Sequence, residues 1–463
     1  MKMKQFALVW ALALVMTLAG CVEKDNPVSP EKPTEKKPTY TILVYGNAGG
    51  AMDGVIETGV WEKLKPLLTE DSNVRVQFCY KYGMDTVDEE GNHTFNGKYG
   101  EPGDVFLFEL RDTTNLEQLR SSDAALQSPD FPLYEPSLLS LLLSACNDLM
   151  PADNYILIIW GHGSGFVPYT DLPHSQESLS TRGVLADEWL SDEEVSMYDI
   201  EQAISTSSQG KLKAVFFHDC LMGNIESLSQ VQPCADYLIA SEHLLWSGGE
   251  PIVEFVKSLQ SHSTFEGAMD YMFSHMPKEW YEAYATGASE PANGDLKLLR
   301  TAYLDEVTAC ARQLANRLVE IYPTQKEALD RAADKCYQVD PEAYAMLSDI
   351  GLYSFFDLAD YARQCALATG DVVLQKISDS LEQAFDDAIA YGVNYSYADR
   401  HLNRYTLSVI LTSNKIYNNP NALSPDKPTY RESYESTRFH QTSGWGKWLG
   451  TNEHLPQIIN KGQ

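Results

Sequence analysis

Two short stretches dominate what this chain can become. Residues 213–223 read KAVFFHDCLMG and residues 154–165 read NYILIIWGHGSG. In each, an unbroken apolar run (Ala214 to Phe217, Tyr155 to Trp160) gives way abruptly to glycine and polar residues. Apolar runs without alternation suit strands buried on both faces, as in the parallel sheet of an α/β fold. Such sheets do their chemistry at the carboxyl edge, where strands end and turns begin. His162 and Cys220 stand just past the two strand ends, 58 residues apart (162 against 220), which leaves room for a loop, a helix and a return strand. The pattern predicts an imidazole and a thiol on one edge of one sheet. Met222 and Gly223 read as the opening of a helix that runs to Val231, directly after Cys220.

The rest of the first 300 residues repeats the strand and helix pattern. Strands are expected at Thr39–Tyr45, Val74–Tyr82, Asp104–Leu110 and Asp236–Ser241, and helices at Val55–Leu68, Pro136–Leu149 and Tyr198–Ser205. Gly46, Gly49 and Gly50 form a tight turn that lacks the lysine and hydroxyl of a phosphate loop. Residues 166–197 are long, polar and acidic, as an exposed loop would be. From Thr301 to Tyr391 apolar residues recur at helical spacing, with a late strand at Tyr405–Leu411 and with Trp445 and Trp448 expected against the core. The predicted architecture is α/β: a mostly parallel sheet flanked by helices over residues 39–300, with a helical C-terminal elaboration over 301–463 packed on it.

The N-terminus reads as a targeting segment. Lys2 and Lys4 precede an apolar run from Phe6 to Leu18, short for a membrane span. The run ends in Leu18, Ala19, Gly20 and Cys21, which resembles the bacterial lipobox, where the signal is cut before a cysteine that then takes a lipid. Residues 1–20 are therefore expected to be a signal peptide and Cys21 the lipidation site of an exported, membrane-anchored protein. Residues 21–38, with Pro27, Pro30, Pro33 and Pro38, read as an extended tether. The chain carries 35 basic against 65 acidic residues, a net charge of −30, and no basic cluster, so nucleic acid is not an expected partner. Cys79, Cys146, Cys234, Cys310, Cys336 and Cys365 show no paired metal-type spacing and are expected to be buried thiols, although an exported location permits disulfides.

Cysteine attacks as the thiolate, which an imidazole or a helix N-terminus favours. In this reading Cys220 is the nucleophile and His162 the acid/base that delivers a proton to the leaving amine. The N–H groups of Gly163 and Cys220 would form an oxyanion hole, each donor worth about 3 kcal/mol in related chemistry. Either residue alone has a bland explanation, a buried small hydrophobe or a turn histidine. Their joint placement favours a dyad.

IIWGHGSGF followed by FFHDCLMGNIESL resembles the clostripain family of cysteine peptidases, relatives of caspases, which place histidine about 50 residues before cysteine. YTILVYGNAGGAMD, YLIASEH, GLYSFFDLADYA and TSGWGKWL extend the resemblance over residues 40–450. It implies a caspase-like fold, His162 and Cys220 as the dyad, and hydrolysis of peptides or proteins through a thioester. Members that cleave after Arg or Lys carry an acid two positions before the cysteine. Here that position is His218, with Asp219 displaced by one. Strand alternation puts His218 on the Cys220 face and Asp219 on the other. His218 either shapes a different substrate pocket or is a packed strand-end residue, and Glu242 is a candidate replacement for the missing charge. Arg182, the only basic residue between His162 and Lys211, is a candidate self-processing site. No cofactor is assigned. The resemblance admits calcium, yet Asp187, Glu188, Asp192, Glu193 and Glu194 have no EF-hand spacing and read as a solvated loop, so no metal ligand is named. The alternative is a non-catalytic binding or scaffold lipoprotein that keeps this fold.

Overall fold

Five strands lie parallel at the centre of the molecule because each is apolar on both faces. They are β1 (Tyr40–Asn47), β2 (Val74–Lys81), β5 (Asn154–Gly161), β6 (Leu212–His218) and β7 (Ala235–Ala240). Antiparallel strands extend the sheet on both sides: β3 (Asp104–Leu110) and β4 (Ala125–Gln127) beyond β2, β8 (Asp295–Arg300) and β10 (Ile389–Asn394) beyond β7. The order across the nine strands is β10-β8-β7-β6-β5-β1-β2-β3-β4. A separate two-stranded ladder pairs β9 (Phe355–Asp357) with β11 (Ser408–Ile410). The computed structural model describes residues 37–47, 49, 52–87, 91–163, 165–166, 195–245, 248–276, 295–339, 355–394, 406–420 and 429–456. The signal segment with Cys21, most of the tether, Arg182 and the acids at 187–194 lie outside the described residues.

Successive side chains along a strand point to opposite faces, and the two cores follow that rule. Leu43, Tyr45, Leu157, Ile159, Val215 and Phe217 face one layer, built from α1 (Pro136–Leu149), α2 (Met197–Thr206), α3 (Ile225–Val231), α6 (Leu304–Lys335), α7 (Leu358–Thr369) and α8 (Val372–Ala388). Ile42, Val44, Ile156, Ile158, Trp160, Ala214 and Phe216 face the other, built from α4 (Glu250–Ser261), α5 (Phe265–His275) and the helical stretch that follows β1. This is an α/β fold with a large, mostly parallel sheet between helices. Trp445 and Trp448 are buried in the first layer, and the Trp445 indole N–H donates to the Ile410 carbonyl at 3.1 Å. Among the described residues no helix is long and apolar enough to cross a membrane.

The sequence periodicity located most central elements to within a residue or two, but three features differ. The helix expected at Val55–Leu68 passes through a π segment, Glu57–Trp61. There Gly59 meets Gly249, whose added Cβ would fall 2.6 Å from the Gly59 carbonyl. The helix after Cys220 begins at Ile225, not Met222, because Asn224 caps it: its side-chain oxygen accepts from the Ser227 N–H at 2.8 Å. Residues 221–223 are instead a turn. Strands β4, β8, β9 and β10 were not anticipated.

β8 carries opposite charges inside an apolar strand, and they set the edge of the sheet. Lys297 pairs with Asp295 at 2.9 Å and with Glu242, and donates to the Thr406 carbonyl at 2.8 Å. The Asp295 carboxylate also accepts from the Ser241 hydroxyl (2.7 Å) and the Glu242 N–H (2.9 Å). All three ionisable side chains are buried. Burial alone would neutralise Lys297 and Asp295, but their mutual attraction keeps the lysine above and the aspartate below their ordinary values. Burial pushes Glu242 up to about 8, against the pull of Lys297. Removing the cation strands the acids in a medium that cannot solvate them. Lys297→Met is expected to cost about 3–5 kcal/mol of folding free energy, read by denaturant unfolding. A midpoint equal to that of the parent would mean the acids are not held as ions.

Candidate active site

The parallel ladder between β5 and β6 pairs Ile156 with Ala214 and continues to Trp160 with His218. His162 and Cys220 each lie two residues past that last pair, so the two strands deliver them to the same edge. Neither is deep in the protein: His162 is exposed and Cys220 half-buried. The two chains come into close contact at Gly163. A Cβ built there would fall 2.4 Å from the Cys220 carbonyl oxygen and 3.1 Å from its nitrogen. Only glycine lets the backbones come this close.

The turn that carries the thiol is held under strain. Leu221 has φ of 63°, the only positive value for a non-glycine residue among the described residues. That conformation costs roughly 1–2 kcal/mol for a side chain with a Cβ. Backbone bonds to the end of β7 offset it: Leu221 N–H to the His243 carbonyl at 3.0 Å, and Gly223 N–H to the Ser241 carbonyl at 2.6 Å. Ser241 is also bound by Asp295. The buried ion cluster thus reaches the thiol through two short links. The Cys220 sulfur itself lies 3.8 Å from the Leu245 carbonyl, a weak thiol hydrogen bond. Because α3 starts five residues beyond Cys220 (220 against 225), its N-terminus is not directly at the sulfur as the sequence had suggested.

His218 points into the second layer with Phe216. Its ring stacks on Trp160 (centroids 4.4 Å apart, planes 9° apart) and meets Phe216 edge-on at 5.8 Å. It is 4% exposed, and burial drives its pKa down to about 4, so the ring is neutral near pH 7. Asp219 points the other way, toward Gly161 and Gly163. It is 1% exposed, and neither carboxyl oxygen has a hydrogen-bond partner of good geometry. Burial lifts its pKa well above the ordinary value, and the Gly161 amide recovers only part of the cost. Glu242 faces Lys297 inside the protein. The structure therefore brings the backbone at His162 and Gly163 up to Asp219 and Cys220, and commits His218 to packing and Glu242 to a buried contact with Lys297. Sequence reasoning missed Asp295 and Lys297. Their signal was available: an acid and a base two residues apart, DLK, in an otherwise apolar strand.

Among the described residues no group of three or more His, Cys, Asp or Glu side chains could hold a metal ion. The carboxylates considered for calcium, at 187–194, lie outside the described residues.

An edge of this kind, on a mostly parallel sheet extended by antiparallel strands, defines a caspase-like α/β fold. Residues 116–451 match the Clostripain family model, which spans more than half the chain, so the protein belongs to that family and is a cysteine-type peptidase. Its fold is similar to that of a secreted C11 cysteine protease from Bacteroides thetaiotaomicron, "iotapain", at 16% identity and TM-score 0.52, covering 88% of this chain and 99% of that one. It is also similar to an inactive zymogen C11 protease from Parabacteroides distasonis, at 15% identity and TM-score 0.51, covering 90% and 99%. A complex of the Bacteroides thetaiotaomicron secreted protease with an irreversible peptide inhibitor matches at 14% identity and TM-score 0.52, over 88% and 99%. None of the curated proteins matches this chain.

Seven cysteines fall among the described residues, all reduced, and all but Cys220 are buried. Burial raises the pKa of each buried thiol, to about 12 for Cys146 and Cys234. A thiol reagent applied to native protein lacking residues 1–36 is expected to modify Cys220 alone, with the other six appearing on unfolding. Mass spectrometry of the labelled peptides reads this. Rapid native labelling elsewhere would contradict the packing.

Proposed function

We propose that the protein is an endopeptidase that uses Cys220 as nucleophile and His162 as general acid/base. The observation that carries this is the contact of Gly163 with the Cys220 backbone, at the ends of two neighbouring parallel strands. His162 takes the Cys220 thiol proton, and the thiolate attacks the scissile carbonyl carbon, whose oxygen becomes an oxyanion. The N–H groups of Gly163 and Cys220 stabilise it. His162 donates its proton to the leaving amine as the C–N bond breaks, which leaves a thioester on Cys220. Water, relieved of a proton by the same imidazole, attacks the thioester and frees the acid and the thiol. His218, neutral and stacked on Trp160, and Glu242, paired with Lys297, serve this reaction as frame and do not supply a pocket charge. Cys220→Ala and His162→Ala are each expected to reduce peptide hydrolysis by about 10³-fold or more without loss of folding. Circular dichroism and turnover of a peptide-library substrate decide it. Full activity in His162→Ala would remove the dyad.

The same proposal places the enzyme outside the cytoplasm on a lipid anchor at Cys21, with residues 22–38 as its tether. The support is the lipobox-like Leu18-Ala19-Gly20-Cys21 run, together with the secreted status of the Bacteroides thetaiotaomicron relative. Its partners are then a peptide or protein substrate and a membrane. Self-cleavage is assigned to Arg182. Cys21→Ser should move the protein from the membrane to the soluble fraction, and Arg182→Ala should abolish any two-chain form. Retention of either property rejects the corresponding assignment.

A further inference from the structure

Asp219 is the one group at this edge that the reaction above does not use. It precedes the nucleophile, its carboxyl is buried, and neither oxygen finds a hydrogen-bond partner of good geometry. A carboxylate left so would cost several kcal/mol, so a group in this state persists only uncharged. Its position is specific. A Cβ on Gly163 would come within 2.8 Å of the Asp219 Cβ, so the side chain lies flush against the Gly163 α-carbon. Its carboxyl faces the Gly161 amide. Those two glycines are the residues on either side of His162. Glycines carry no side chain to fix a turn and are the most freely rotating residues in a chain. Gly161 is still paired with Asn47 at the end of β1, but Gly163 lies beyond the strand, and the Asp219 side chain is in contact with both glycines.

We propose that Asp219 is a positioning residue, one that sets where His162 stands by pressing its buried side chain against Gly161 and Gly163. This rests on the His162 and Cys220 dyad proposed above. Cys220 follows Asp219 in the chain, and His162 lies between the two glycines that Asp219 contacts. No charged side chain among the described residues adds to the forces on its carboxyl, which burial and the Gly161 amide account for.

Two consequences follow, one in stability and one in rate. Burial makes the native carboxyl hold its proton to higher pH than the unfolded one, which ionises above about pH 4. The native state then binds more protons than the unfolded state, so this group's contribution is intact below the unfolded pKa and is lost as pH rises. Asp219→Asn keeps the shape and the neutrality but cannot ionise. Its melting temperature should match that of the parent near pH 4 and exceed it at pH 7. In catalysis, Asp219→Ala removes the contact, and a shift of the imidazole by a fraction of an ångström is expected to lower kcat by about tenfold or more. KM should change by less than about threefold, because the contact acts through His162 and not through the substrate. Asp219→Asn should recover most of the kcat that alanine loses. The test is made on the whole chain, with kcat and KM measured on a peptide-library substrate and melting temperatures measured from pH 4 to 7. Normal kcat in Asp219→Ala beside an inactive His162→Ala overturns this inference alone. An active His162→Ala overturns it together with the dyad. No stabilisation of Asp219→Asn at pH 7 means the carboxyl is ionised and paired, which also overturns it, and this arm can be read even if the alanine variant fails to fold.

Discussion

The lateral pairing of β5 with β6 is the constraint on which the site depends. Five consecutive residue pairs, from Ile156 with Ala214 to Trp160 with His218, lock two parallel strands in one register. A slip by one residue would move either strand end by about 3.3 Å and turn every side chain to the opposite layer. Such a slip is heavily penalised, because both faces of both strands are buried. The cost would fall on Ile158, Phe216 and Trp160 on one side and on Leu157, Val215 and Phe217 on the other. The geometry of two residues at the edge is thus underwritten by the whole sheet, and it needs no direct bond between the residues themselves.

Beyond the last pair the strands stop helping, and local devices take over. On the β5 side, Gly161 is still paired with Asn47 of β1, and Gly163 beyond it permits close approach to Cys220. On the β6 side the chain enters a strained turn at Leu221, held by carbonyls of His243 and Ser241. Those carbonyls are themselves fixed, since Ser241 and the Glu242 N–H bind Asp295, and Asp295 pairs with Lys297. Breaking the ion cluster would therefore slacken the nucleophile's turn through covalent and hydrogen-bonded neighbours, without any residue of the cluster touching a substrate.

Much of this was legible because the parallel core announces itself. Unbroken apolar runs identified β5 and β6, and the abrupt change to GHG and HDC marked their ends. The alternation argument separated His218 from Asp219 correctly, although Cys220 lies past the strand and packs against both layers. The helix start was misjudged for a physical reason. Met222 and Gly223 are buried, and burial reads as helix, whereas Leu221 adopts a left-handed backbone that no composition rule assigns to leucine. β8 was hidden because Asp295 and Lys297 lower its apolar content, and only their tertiary partners make those charges acceptable in a strand. β10 follows α8 without a break, at residue 389, so no turn signal marks it.

The C-terminal segment closes onto the same turn, which explains why family likeness extends so far down the chain. Ser408 N–H donates to the Gly223 carbonyl at 3.2 Å, three residues beyond the nucleophile. Glu226, buried in α3, accepts from the Ile410 N–H at 3.0 Å and from the Tyr434 hydroxyl at 2.8 Å. Burial raises the Glu226 pKa to about 7, and these two donors, with a backbone bond at Glu226 itself, keep it from rising further. The Ile410 N–H and the Tyr434 hydroxyl thus tie the buried Glu226 carboxyl of α3 to the late strand and to the segment around Tyr434. Helix α3 in its observed place is stabilised by the late strand and the segment around Tyr434. The peptidase edge and the C-terminal elaboration are therefore one folding unit in energetic terms, joined through the helix that follows the nucleophile.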